Sequence, residues 1–110
     1  LRFRSPAEIA IYEELKTRQL LLFPNPAAVI GGKKPVKKEP DFLIFQAGKC
    51  GILEVMGKGY HTNDNAVKDH ERARLFKTFG VLCIEFFDAN ECERSPAVVV
   101  DKFLAILAQH

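Results

Sequence analysis

Two acids stand where an ordinary strand would not hold them. Asp41 follows Pro40 at the head of the apolar run Phe42-Leu43-Ile44-Phe45, and Glu54 lies inside a second run, Ile52-Leu53-Glu54-Val55-Met56. Both runs are rich in β-branched and aromatic residues, and the Gln46-Ala47-Gly48-Lys49-Cys50-Gly51 linker between them has hairpin chemistry. In an antiparallel hairpin, opposed positions have a constant sum and side chains alternate faces. A two-residue turn at Ala47-Gly48 therefore puts Asp41 opposite Glu54, with Cβ atoms about 5 Å apart. A turn one residue later pairs Asp41 with Met56 yet leaves both acids on one face; only a bulge or an odd slip would part them. Adjacent carboxylates repel unless a cation lies between them. Hard oxygen donors of this number suit Mg²⁺, which takes one or two carboxylates and completes its shell with water and phosphate.

The elements that would position this pair follow in order. Ser5-Pro6-Ala7-Glu8 is a helix start, with a serine N-cap, proline at the first helical position and Glu8 able to close a capping box. The helix is expected to run to about Arg18 with Ile9, Tyr12 and Leu15 inward, Ile11 being a further candidate. Gln19–Phe23 reads as a strand, broken by Pro24-Asn25-Pro26 and resumed at Ala27–Ile30. Next comes a flexible loop carrying Lys33, Lys34, Lys37 and Lys38 that leads into Asp41. Such a loop is either a solvated hairpin tip or a set of cations for phosphate.

Beyond the central hairpin, Gly57-Lys58-Gly59-Tyr60-His61 bends away from the sheet. A helix over residues 66–79 follows, with Asn63, Asp64 and Asn65 as cap candidates and Gly80 at its end. Val67, Ala73, Phe76 and Phe79 form its apolar face, and Lys68, Arg72 and Lys77 a charged one. Val81–Phe87 is a strand and Asp88–Arg94 a polar loop. Ser95-Pro96 begins a last helix through Val99, Phe103, Ile106 and Leu107. Strands apolar on both faces call for helices on both sides, so the expected fold is α/β, a mixed sheet of about four strands flanked by helices in the order α-β-β-β-α-β-α.

Composition narrows the functional classes. A chain of 110 residues, 47% hydrophobic and 27% charged, fits one domain (1–110) with a modest core, and the leading Leu1 suggests a piece of a longer chain. No apolar run reaches the roughly 18 residues of a membrane span, and no signal-peptide pattern opens it. Cys50, Cys83 and Cys92 are odd in number and lack C-x-x-C spacing, which favours a reducing cytoplasm over a disulfide framework or a zinc site. A net charge of +2 imposes no global basic field, so a nucleic-acid partner would have to be held locally.

Pro40-Asp41, Glu54 and the element order together resemble the PD-(D/E)XK, or restriction-endonuclease-like, nuclease superfamily. Ile52-Leu53-Glu54-Val55-Met56-Gly57 with Tyr60-His61 is similar to its branch of very-short-patch mismatch repair endonucleases. Asp69, Arg72, Phe76 and Gly80 match that branch's acid, arginine, hydrophobic residue and glycine, and Ser5-Pro6-Ala7-Glu8 matches its N-terminal Ser/Thr-Pro-Ala-Glu. The resemblance covers nearly the whole chain. It implies a metal-dependent DNA endonuclease in which Asp41 and Glu54 hold Mg²⁺ or Mn²⁺, Glu8 points into the same site and His61 stands beside the metal. Double-strand cutting would further imply a homodimer.

One departure counts against activity. The superfamily's lysine, or the branch's acid, should stand at Met56, whose thioether neither binds Mg²⁺ nor activates water. Lys58 is a displaced candidate on the same strand face, and His61 has a pKa suited to proton transfer. The rival reading is a catalytically degenerate nuclease fold kept for DNA binding or protein interaction. A third is an unrelated ligand-binding α/β domain in which Glu54 is a buried acid paired with Arg72 or Lys68.

Overall fold

The computed structural model describes residues 5–57 and 63–110. Its elements are α1 (Pro6–Leu15), β1 (Leu21–Pro24), β2 (Ala28–Ile30), β3 (Val36–Lys38), β4 (Phe42–Gln46), β5 (Lys49–Met56), α2 (Asn63–Thr78), β6 (Cys83–Asp88), α3 (Ala89–Arg94) and α4 (Pro96–Ala108). The main sheet has the order β1-β4-β5-β6. β1 and β5 flank β4 antiparallel, while β6 runs parallel to β5 after the α2 crossover. The architecture is thus α/β with a mixed four-stranded sheet flanked by helices.

The central hairpin turns at Ala47-Gly48, both with positive φ (50° and 79°), the twist that two-residue hairpin turns require. Phe42 then faces Leu53 and Gln46 faces Lys49, so both strands run closer to the turn than the apolar runs alone indicate. Gly51 belongs to β5, not to a linker: Phe103 and Cys83 crowd its backbone so closely that a Cβ would sit 3.0 Å from the phenyl tip.

The two faces of the sheet carry separate cores. On one, Phe42, Ile44, Leu53 and Cys83 meet Ala7, Ile11 and Leu15 of α1, Ala89 and Cys92 of α3, and Val99, Val100, Phe103 and Leu107 of α4. On the other, Ile52 and Ile84 meet Phe76 of α2, with Leu43, Ala73 and Ala28 at the margin. Cys50, Cys83 and Cys92 are free thiols, and burial pushes Cys83 up to about 11 and Cys92 up to about 12, far from thiolate chemistry at neutral pH.

Several expectations need correction. Ala28–Ile30 does not resume β1; it pairs with Val36–Lys38 as a second, two-stranded sheet. The Pro24-Asn25-Pro26 corner, with Asn25 at φ 46°, removes two amide donors and turns the chain away. Two of the loop's four lysines, Lys37 and Lys38, therefore lie in strand β3. The expected loop Asp88–Arg94 is instead helix α3 (Ala89–Arg94), capped by Asp88, whose carboxylate accepts from the Glu91 amide at 3.2 Å. Ser95 makes no side-chain cap for α4, and its amide closes α3 on the Glu91 carbonyl. Ile9 is exposed, since α1 buries the Ala7-Ile11-Leu15 stripe instead. Val67 and Phe79 are exposed as well; of the expected apolar face of α2, Phe76 is the member that is buried. Among the described residues no helix is long and apolar enough to cross a membrane.

Candidate functional site

The site lies at the end of the sheet where β4 begins and β5 finishes. One step past the Phe42–Leu53 pair, the register sets Asp41 against Glu54. Asp41 locks that junction by accepting a hydrogen bond from the Val55 amide on Oδ2 at 2.7 Å. Glu54 is buried, its side chain 9% exposed, and its Oε1 accepts from Arg72 Nε at 3.0 Å. Arg72 also donates through Nη2 to the Glu39 carbonyl at 2.9 Å and lies over the Phe76 ring. One guanidinium thereby ties α2 both to β5 and to the segment that delivers Asp41.

Burial pushes the Glu54 carboxyl up to about 7, and the negative charge of Asp41, which is within hydrogen-bonding reach, adds to the rise. The Arg72 cation opposes both effects without cancelling them. Two acids converge and only Glu54 is paired with the arginine, leaving a site that favours either a shared proton or an added cation.

A cleft of about 700 Å³ opens over this pair. It is within the usual size range of ligand sites. Glu8 of α1 reaches its wall although its residue is 6% exposed, and Lys37 and Lys38 line the side formed by β3. The Ser5 hydroxyl accepts from the Glu8 amide at 3.3 Å, which fixes the start of α1 where Glu8 lines the cleft. Of the sequence candidates, Glu8, Asp41, Glu54, Lys37 and Lys38 come together. Lys33 and Lys34 are exposed at the far turn of the β2–β3 ribbon and do not line the cleft. Lys58 and His61 lie outside the described residues.

Asp69 and Arg72 also line the cleft, one helical turn apart on α2. The sequence placed Arg72 on a charged helix face and at the arginine position of the resembled branch, and the ligand-binding alternative made it the partner of Glu54. That pairing is the one present. Met56 borders the same cleft and contributes no ligand atom of the hard kind.

The donor set can be tested against a divalent ion. Among the described residues no group of three or more His, Cys, Asp and Glu side chains has metal-holding geometry. Two converging carboxylates, each with one oxygen already engaged by a protein donor, fit a weakly held Mg²⁺ or Mn²⁺ that keeps several waters, and do not fit a closed tetrahedral Zn²⁺ site. No family model matches the chain, and neither a curated protein nor a solved structure matches it.

Proposed function

We propose that the cleft is a metal-dependent phosphodiesterase site acting on DNA. The observation that carries this reading is the convergence of Asp41 and Glu54 from neighbouring strands beneath a cleft walled by Glu8 on one side and by Lys37 and Lys38 on another. Asp41 and Glu54 would hold Mg²⁺ or Mn²⁺, with Glu8 joining through water. Such an ion supplies Lewis acidity to the scissile phosphate and charge neutralisation to the leaving oxygen. Arg72 holds the Glu54 carboxylate in place, and the Val55 amide does the same for Asp41. Lys37 and Lys38 attract and orient the phosphate backbone. His61 or Lys58 would move the proton or contact the phosphate, roles assigned from their positions in the sequence.

The test is cleavage of plasmid and structured DNA across Mg²⁺ and Mn²⁺ by the wild-type chain and by Asp41→Ala and Glu54→Ala. Cleavage in the wild type alone supports the reading; retained cleavage in both variants overturns it.

A second reading has its own support. Met56 stands where the resemblance calls for a lysine or acid, and Glu54 already has a partner in Arg72. Both features fit a nuclease fold that has lost catalysis and keeps DNA binding or protein interaction. Titration calorimetry with Mg²⁺ and Mn²⁺ separates the two, because a degenerate site takes up neither ion.

A further inference from the structure

The β2–β3 ribbon is a structure apart. Its strands pair only with each other, Ala28 with Lys38 through Ile30 with Val36, and residues 31–37 are all exposed. Its foot is held beside the acids: the Asn25 amide donates to the Asp41 carbonyl at 2.7 Å, and Arg72 donates to the Glu39 carbonyl. Its two edges differ. Val29 and Ile30 of β2 border an apolar hollow of about 390 Å³, whereas Lys37 and Lys38 of β3 border the acidic cleft. Lys33 and Lys34 occupy the tip, beyond Gly31-Gly32.

Dimensions and composition identify a partner. Lys34 and Lys38 are four positions apart, at most ~13 Å at strand rise, comparable to the ~12 Å major groove of B-form DNA and about twice its minor groove. A two-stranded ribbon is one of the shapes that groove admits. Residues 28–38 contain no aromatic side chain, so the ribbon has no stacking platform for unpaired bases. They contain no Arg, Asn or Gln either, leaving lysine as their only polar side chain, a phosphate contact more than a reader of sequence. The deep, narrow major groove of A-form RNA would exclude such a ribbon.

We infer that the β2–β3 ribbon enters the major groove of duplex DNA, with Lys33 and Lys34 on phosphates across the groove from those held at the cleft by Lys37 and Lys38. This rests on the reading of the cleft as a phosphodiester site and names its substrate form as a B-form duplex, bound with little regard to sequence.

Fluorescence anisotropy in EDTA tests the inference without cleavage, using a labelled DNA duplex, one of its strands alone and an RNA duplex of equal length. The wild type is expected to prefer the DNA duplex. In Lys33→Ala/Lys34→Ala the slope of log affinity against log salt should fall by about 2 for that duplex, so the affinity lost between about 50 and about 200 mM salt shrinks roughly tenfold. The single strand should be affected less, and circular dichroism melting of the variant reports whether it folds. A second variant, with residues 31–35 replaced by Asn-Gly, should lose the preference for duplex. An unchanged slope, an equal loss on the single strand, or equal binding of the RNA duplex overturns the inference. Binding that behaves as expected in a wild type that cleaves nothing would remove the catalytic reading and leave the ribbon's role standing. Cleavage with no effect of the lysine variant would do the reverse.

Discussion

Arg72 Nε stands 3.0 Å from Glu54 Oε1, and the same guanidinium grips the Glu39 carbonyl two residues before Asp41. The helix after the hairpin thus holds both acids of the site, one through its carboxylate and one through its chain. Removing this cation leaves a buried acid unpaired, which in protein interiors costs several kcal/mol. Arg72 is partly exposed, so Arg72→Ala should lower stability by about 2 kcal/mol at pH 8 and by much less at pH 5, where Glu54 is protonated. Arg72→Lys should recover part of that loss. Urea melts at the two pH values measure it; equal losses at both would show that the pair contributes little.

Glu54 gives the native state a pH signature. Folding raises its carboxyl from 4.5 to about 7. An acid whose pKa is raised on folding favours the native state when protonated. That contribution is complete below about pH 4.5 and is lost as pH climbs through about 7. The 2.5-unit difference (7 − 4.5) amounts to roughly 3 kcal/mol. Metal-free protein should therefore lose stability between pH 4.5 and 7, and Glu54→Gln should flatten that limb. Under the proposed function Mg²⁺ should raise Tm more at pH 8 than at pH 5, since a cation displaces the proton.

Asp41 contributes to the rise in Glu54. Asp41→Asn preserves an oxygen for the Val55 amide and removes the charge, so the Glu54 carboxyl should titrate lower than in the wild type while the fold stays intact. Carboxyl carbon chemical shifts followed by NMR read this directly. An unmoved Glu54 would mean that burial and Arg72 set its value without Asp41.

Gly51 is a packing requirement. An alanine Cβ would stand 3.0 Å from Phe103 Cζ and 3.1 Å from both the Cys83 Cβ and its carbonyl oxygen. Gly51→Ala should destabilise by about 1–3 kcal/mol through overpacking. Phe103→Leu in the same chain should relieve only part of the strain, because the Cys83 contacts remain. Thermal melts of the single and double variants decide it.

Local signals were readable in the chain. Ser5-Pro6 fixed the start of α1, and the linker left two hairpin turns that both keep the acids on one face, of which the structure takes Ala47-Gly48, because turn and cap chemistry act over a few residues. Register in turn placed Asp41 against Glu54. What was not readable depended on neighbours distant in sequence. The inner side of α2 borders the cleft through Asp69 and Arg72 instead of covering the sheet along its whole length, so Val67 and Phe79 stay in solvent. The pairing of Arg72 with Glu54 was open, with Lys68 an equal candidate in one reading of three, because the partner lies on another element. Helix α3 was hidden by its polarity, although Asp88 three residues before Glu91 is a cap spacing, and Ala89 and Cys92, one turn apart, are its buried side. Ile9 misled in the opposite direction: a large apolar residue, yet on the wrong side of a helix whose contact stripe includes the small Ala7.

The foot of the β2–β3 ribbon has a consequence for how such a protein could diversify. Its closure by the Asn25 amide on the Asp41 carbonyl lies below every residue of the tip. Insertions, deletions or wholesale exchange between Gly31 and Pro35 would leave that closure and the carboxylates behind it untouched. Under the proposed function, choice of target and capacity for chemistry would then be inherited as separable parts of one fold.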